Sequence, residues 1–104
     1  MLRIVETPVF TRRISTLLDE REYSKLQLLL ALHPDAGAVV PRSGGIWKLR
    51  RGLPGRGKRG GLRIIYFRAV TEDVVYMLYV YDKADQEGLT PAQLKTLRSL
   101  LRGQ

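Results

Sequence analysis

Val74-Val75-Tyr76-Met77-Leu78-Tyr79-Val80-Tyr81 leaves this chain few ways to fold. A strand with one wet face alternates apolar with polar residues, and this one does not. Val74, Tyr76, Leu78 and Val80 hold one parity, Val75, Met77, Tyr79 and Tyr81 the other, and both are apolar or aromatic. Such a run predicts a central strand covered on both faces, or nearly so. The rest of the chain must supply that cover.

Strands are expected at Ile46–Arg51 and Leu62–Arg68, with Ala69–Asp73 a hairpin-length connection into the apolar run. Near the start, Leu2–Glu6 alternates around β-branched residues and reads as a short strand. Thr7-Pro8 then looks like an N-cap with proline at the first helical position. Phe10, Ile14, Leu17 and Leu18 form one apolar stripe, and Asp19, with Glu22 three residues on, restarts a helix. Tyr23, Leu26, Leu29 and Leu30 supply its buried face, and His33-Pro34 ends it. Gly37–Gly45 reads as a linker into the sheet, and Asp82–Gly88 as a turn. Leu89-Thr90-Pro91-Ala92-Gln93-Leu94 is a strong helix start, with Thr90 and Gln93 completing a capping box. Leu94, Leu97 and Leu101 then face the sheet. The order is β-α-α-β-β-β-α. The expected fold class is α+β: an antiparallel sheet packed on an N-terminal helical hairpin, with a C-terminal helix. One face is helix-covered and the other partly open. With 104 residues the chain is expected to form a single domain, 1–104, around one modest core.

Charge is spread unevenly over this framework. The net charge is +8, and from Ala36 to Thr71 there are nine Lys and Arg and no Asp or Glu. Positive charge concentrated in one segment points to a polyanion, either nucleic acid or an acidic protein surface. A solvated basic face kept for solubility is the plainer reading, and scatter would favour it. The absence of cysteine excludes a disulfide framework or a thiolate metal site. No apolar run approaches a bilayer span, and Met1–Thr7 lacks the apolar block of a secretory signal. A soluble, cytoplasmic protein with no membrane partner is expected.

Gly52–Gly61 carries Arg56, Lys58 and Arg59 among its glycines. By letters it nearly matches a phosphate-binding G-x-x-x-x-G-K loop and a G-x-G-x-x-G dinucleotide fingerprint. Both need a following helix whose N-terminus holds phosphate, and here a strand follows. The glycines more simply let the backbone approach a phosphate closely. Period two puts Lys48 and Arg50 on one face of their strand, and Arg63, Ile65 and Phe67 on one face of the next. The open face would thus show Lys48, Arg50 and Arg63 beside aromatics of the third strand. An edge arginine laying its stem over Phe67 is the structural alternative for Arg63. Three cations on one face are easier to explain if an anion fills the space between them. Lys83, just past the third strand, would join from the sheet's end, unless Asp82 and Asp85 merely balance it. Tyr79 or Tyr81 could stack a base or share a proton if it lies on the open face. One histidine, His33, and no carboxylate among the basic residues give poor support to a His-based or metal-dependent nuclease.

These residues resemble the RelE/ParE superfamily of bacterial type II toxins, particularly its HigB-like branch. The likeness spans the helical hairpin, Trp47–Arg50, the run Gly55–Tyr66, Leu78–Lys83 and Leu89–Leu94. Its most specific part is the glycine-lysine-arginine run that leads into a strand begun by Arg63. The resemblance implies a ribosome-dependent mRNA endoribonuclease that inhibits translation. In that chemistry the ribose 2′-hydroxyl attacks the scissile phosphate, with no metal or other cofactor. A cognate antitoxin, the ribosome and mRNA would be partners, with operator DNA reached through the antitoxin. By position the resemblance makes Arg63, Lys48 and Lys83 catalytic, with Tyr81 a further candidate. It assigns RNA contacts to Arg50, Arg51, Arg56, Lys58 and Arg59, beside Tyr79 as the stacking candidate. Some members carry a catalytic tyrosine or histidine near the C-terminus, and after Tyr81 this chain has neither. The general base and acid therefore stay open among Lys48, Lys83 and Tyr81, with Asp85 and Glu87 beside them. The rival readings are a ParE-like gyrase poison and a non-catalytic RNA- or antitoxin-binding module. ParE-like chains usually lack the full set of site cations.

Overall fold

The computed structural model describes residues 2–53 and 61–101. Strand β1 (Arg3–Glu6) leads into helices α1 (Pro8–Leu17) and α2 (Glu20–Leu32). Strands β2 (Ala38–Val39), β3 (Ile46–Arg51), β4 (Leu62–Ala69) and β5 (Val74–Asp82) follow, then helix α3 (Pro91–Leu101). The helix starts expected from sequence form as local chemistry dictates. The Phe10 N–H donates to Thr7 Oγ1 (3.1 Å) and the Glu22 N–H to an Asp19 carboxylate oxygen (2.8 Å). Thr90 and Gln93 exchange reciprocal bonds at 3.0 and 3.1 Å. Each such cap is worth about 0.5–2 kcal/mol. The Glu22 carboxylate does not close a box of its own; it accepts from Lys25 at 3.3 Å.

The sheet order is β1-β5-β4-β3-β2, and two features differ from the sequence expectation. The sheet is mixed rather than antiparallel throughout, because β1 runs parallel to β5, with Arg3 opposite Val74 and Glu6 opposite Met77. Parallel neighbours need a long crossover, and the chain between them includes the helical hairpin. The expected linker at Gly37–Gly45 also contains β2, whose Ala38 and Val39 pair with Lys48 and Trp47. A buried serine closes that hairpin: Ser43 Oγ donates to the Val40 carbonyl (2.6 Å) and accepts from the Ile46 N–H (2.9 Å). Gly37 permits the approach into β2. A Cβ there would stand 2.6 Å from the Lys48 carbonyl oxygen. Its N–H donates to the Tyr66 hydroxyl (3.1 Å), which donates onward to the Pro34 carbonyl (2.9 Å).

Both sheet faces carry apolar cores, as the β5 sequence requires. On one face Phe10, Ile14 and Leu18 with Leu26 and Leu30 pack against Leu49, Leu62, Ile64, Tyr66, Val75, Met77 and Val80. Burying a Phe10 or a Leu26 completely contributes about 1.5–3 kcal/mol each, which seats the hairpin on the sheet. On the other face Leu97 of α3, with Leu94 and Leu101, packs with Ile46, Ile65, Leu78 and Tyr81. Strand β1 ends opposite Met77, so the outer carbonyls of β5 beyond it need other donors. Helix α1 and its cap supply them: Thr7 Oγ1 donates to Leu78 O (2.8 Å) and Arg13 Nε to Val80 O (2.6 Å). No helix among the described residues is long and apolar enough to cross a membrane.

Candidate functional site

A register shift in β5 decides which aromatics meet the cations. Ile65 pairs with Tyr79 but its neighbour Tyr66 pairs with Met77, so Leu78 is an extra residue, a β-bulge. Strict alternation would keep Val75, Met77, Tyr79 and Tyr81 on one face. The extra residue turns Tyr79 and Tyr81 over to the α3 face, while Met77 and Val80 both point into the hairpin core. Bulges commonly re-aim side chains in this way.

The cation-bearing row now follows from pairing alone. Arg50 lies opposite Arg63, and Arg63 opposite Tyr81, across three neighbouring strands. One pair along, Lys48 lies opposite Ile65, and Ile65 opposite Tyr79. Directly opposed side chains have Cβ atoms about 4.5–5.5 Å apart, and like charges so placed repel. Two guanidinium stems therefore start side by side on the face that α3 covers at Ile46, Ile65 and Leu78.

Burial grades sharply along this row. Arg50 is exposed, Arg63 is 7% exposed and Tyr81 is fully buried. Strand β4 is the middle strand of five, so the edge-arginine reading of Arg63 does not hold. One Arg63 terminal nitrogen donates to the Leu62 carbonyl at 3.3 Å. The Tyr81 hydroxyl has no hydrogen-bond partner among the described residues. Burial pushes its pKa above the usual phenol value, Arg63 opposes that rise, and Tyr79 adds to it. Tyr81 is thus a neutral O–H donor at physiological pH, with the Arg63 charge near enough to act on it.

Other sequence-derived candidates are dispersed. Lys48 is half-buried on the same face as Arg63, and no carboxylate pairs with Lys48, Arg50 or Arg51 among the described residues. Arg51 pairs with Leu62, which points into the hairpin core, so Arg51 belongs to the opposite face from Arg50. Lys83 is exposed, and its N–H donates to the Gly61 carbonyl (3.0 Å), which ties the end of β5 to the start of β4. Asp85 and Glu87 are exposed in the turn that follows. Tyr79 is partly committed elsewhere: the Arg13 guanidinium lies 4.9 Å from its ring centroid, and its hydroxyl accepts from Gln93 at 3.4 Å. Arg56, Lys58 and Arg59 lie outside the described residues.

Two residues that shape the site were not singled out from sequence. Arg13 falls in line with Phe10 and Leu17 at helical spacing, and a lone arginine inside an apolar stripe was the available signal. Gly61 is one of five glycines between 52 and 61, and composition alone does not tell which of them is structural.

No family model matches the sequence. Among solved structures, a chain of the intact E. coli RelBE toxin–antitoxin complex has a TM-score of 0.59 with this one at 14% identity. The match covers 77% of this chain and 94% of that one. With its five-stranded mixed sheet, N-terminal helical hairpin and C-terminal helix, the chain has a RelE-like α+β fold.

Proposed function

We propose that this chain is the toxin of a type II toxin–antitoxin pair, of the HigB-like kind, and that it cleaves translated mRNA on the ribosome. The observation that carries this reading is the row Arg50–Arg63–Tyr81, two cations and a buried phenol with an unused hydroxyl. In the proposed reaction the 2′-oxygen attacks phosphorus, forming P–O2′ and breaking P–O5′. The products are a cyclic phosphate and a 5′-hydroxyl. Arg63 holds the scissile phosphate and stabilises the charge that grows on its oxygens, the usual role of a fixed donor in such a site. Lys48 adds charge from the same face, and Lys83 from the end of β5. Tyr81 is suited to give a proton to the leaving 5′-oxygen, because burial keeps it protonated. Arg50 and Arg51 contact flanking phosphates together with Arg56, Lys58 and Arg59. The proposed partners are a cognate antitoxin, the ribosome and its mRNA, with operator DNA reached through the antitoxin.

Induced expression followed by mapping of mRNA 5′ ends tests this reading. New 5′-hydroxyl ends inside translated messages, abolished by co-expressed antitoxin, are the expected result. DNA breaks trapped on gyrase, with messages intact, would instead mark a ParE-like poison.

Tyr81→Phe provides a second check at the level of one atom. It removes a buried hydroxyl that is costly to leave unpaired, by about 1–3 kcal/mol. The variant is expected to melt at or above the parent's temperature while cleaving about a hundredfold more slowly. Parental cleavage rates in the folded variant would remove Tyr81 from the mechanism.

A further inference from the structure

A separate hollow opens at the sheet edge, beside the cation row rather than within it. It encloses about 510 Å³ between the segment Ala36–Pro41 on one side and Lys48, Leu49 and Arg50 on the other. Pairing explains why it exists. Strand β2 follows β3 only through Ala38–Lys48 and Val39–Trp47, and Val40 adds one bond to Ile46. Before Ala38 the chain leaves the sheet, because the Gly37 N–H is taken by the Tyr66 hydroxyl. The β3 edge is thereby uncovered at Leu49 and Arg50.

We propose that this hollow is an RNA subsite that receives the base and sugar of one nucleotide flanking the scissile phosphate. It rests on the reading above that Arg63 holds that phosphate. Its size falls in the range of small-ligand pockets. The charged side chains that line it, Lys48 and Arg50, are both cations and stand on the face that carries Arg63. Opposite them the wall is small and apolar, Ala36 through Val40, a surface on which a base plane can lie. A nucleotide adjacent to one held at Arg63 would therefore find its phosphate next to Arg50 and its base against Ala36 and Val39. An extended acidic peptide fits less well. To pair along β3 it would need a run of open edge, and β2 already occupies that edge at Lys48 and Trp47.

The test uses exposed Ala36, which lines the hollow without pairing in the sheet. A fluorescein-labelled hexaribonucleotide, with one internal 2′-deoxy position to prevent cleavage, is titrated at low salt against the parent, Ala36→Glu and Ala36→Lys. Ala36→Glu is expected to weaken binding about tenfold and Ala36→Lys to tighten it several-fold, with far-ultraviolet dichroism unchanged. Equal dissociation constants in all three proteins would overturn the subsite. So would a parent that does not bind the oligonucleotide, or variants altered only in binding an acidic antitoxin peptide. If the opposed shifts appear while no message is cut anywhere, the subsite stands and the nuclease reading falls.

Discussion

Arg63→Met is expected to abolish message cleavage, slowing it by about a thousandfold, while the protein still folds. Methionine is the informative replacement because Arg63 is buried in the middle strand, at 7% exposure, and its aliphatic stem is part of the packing. Alanine would also open a cavity and so mix two effects. Methionine keeps most of the volume and removes only the charged fork. Arg63→Lys keeps the charge but not the planar pair of donors, so it should recover a small part of the rate. Single-turnover cleavage measured beside thermal unfolding separates the two losses. A folded Arg63→Met protein that cuts at the parent rate would show that the phosphate is held elsewhere, and the proposed mechanism would go with it.

Whether each part of this arrangement was legible in the sequence depended on how local its cause is. Thr7-Pro8 and Thr90-Pro91-Gln93 announce their helices because a cap is settled within four residues, and the bonds form as the letters suggest. The two apolar parities of β5 likewise required a core on each face, and each face has one. The face on which Tyr81 lies was not legible. It turns on the extra residue at Leu78, and a bulge is set by how β4 and β5 settle against each other rather than by either strand alone. The same holds for β1, whose parallel pairing depends on where the helical hairpin carries the chain. Two-residue β2 is too short to show a period, and the Tyr66 hydroxyl that fixes its approach is 29 residues away from Gly37. Sequence put Lys48, Arg50 and Arg63 on one face correctly, because period two survives within unbulged strands.

Gly61→Ala and Gly52→Ala, two substitutions at the borders of one glycine-rich segment, are expected to act with opposite signs. At Gly61 the backbone has φ +83, a region that costs an L-residue about 1–2 kcal/mol. An added Cβ would also stand 2.5 Å from the Arg51 carbonyl oxygen and 3.2 Å from the Gly52 Cα, both backbone atoms that no side-chain rotation can relieve. Crowding of this kind costs about 1–3 kcal/mol more. The summed loss, about 2–5 kcal/mol, is large beside the whole stability of a domain this size. At Gly52 a Cβ would meet nothing within 4 Å, and no positive φ is involved. Alanine there should be neutral or stabilise by up to about 1 kcal/mol, through the unfolded chain's lost freedom. Thermal melts of the two variants should therefore move apart, Gly61→Ala falling by about ten degrees or more. Gly61 also accepts the Lys83 N–H and touches the end of β3, so its displacement shifts the strand ends that carry Arg50, Arg63 and Lys83. Cleavage by Gly61→Ala should fall even at temperatures where the protein is still folded. Equal melting temperatures for the two variants would mean that β3, β4 and β5 are not joined at Gly61 as described. The cation row would then lose the backbone clamp that aligns it.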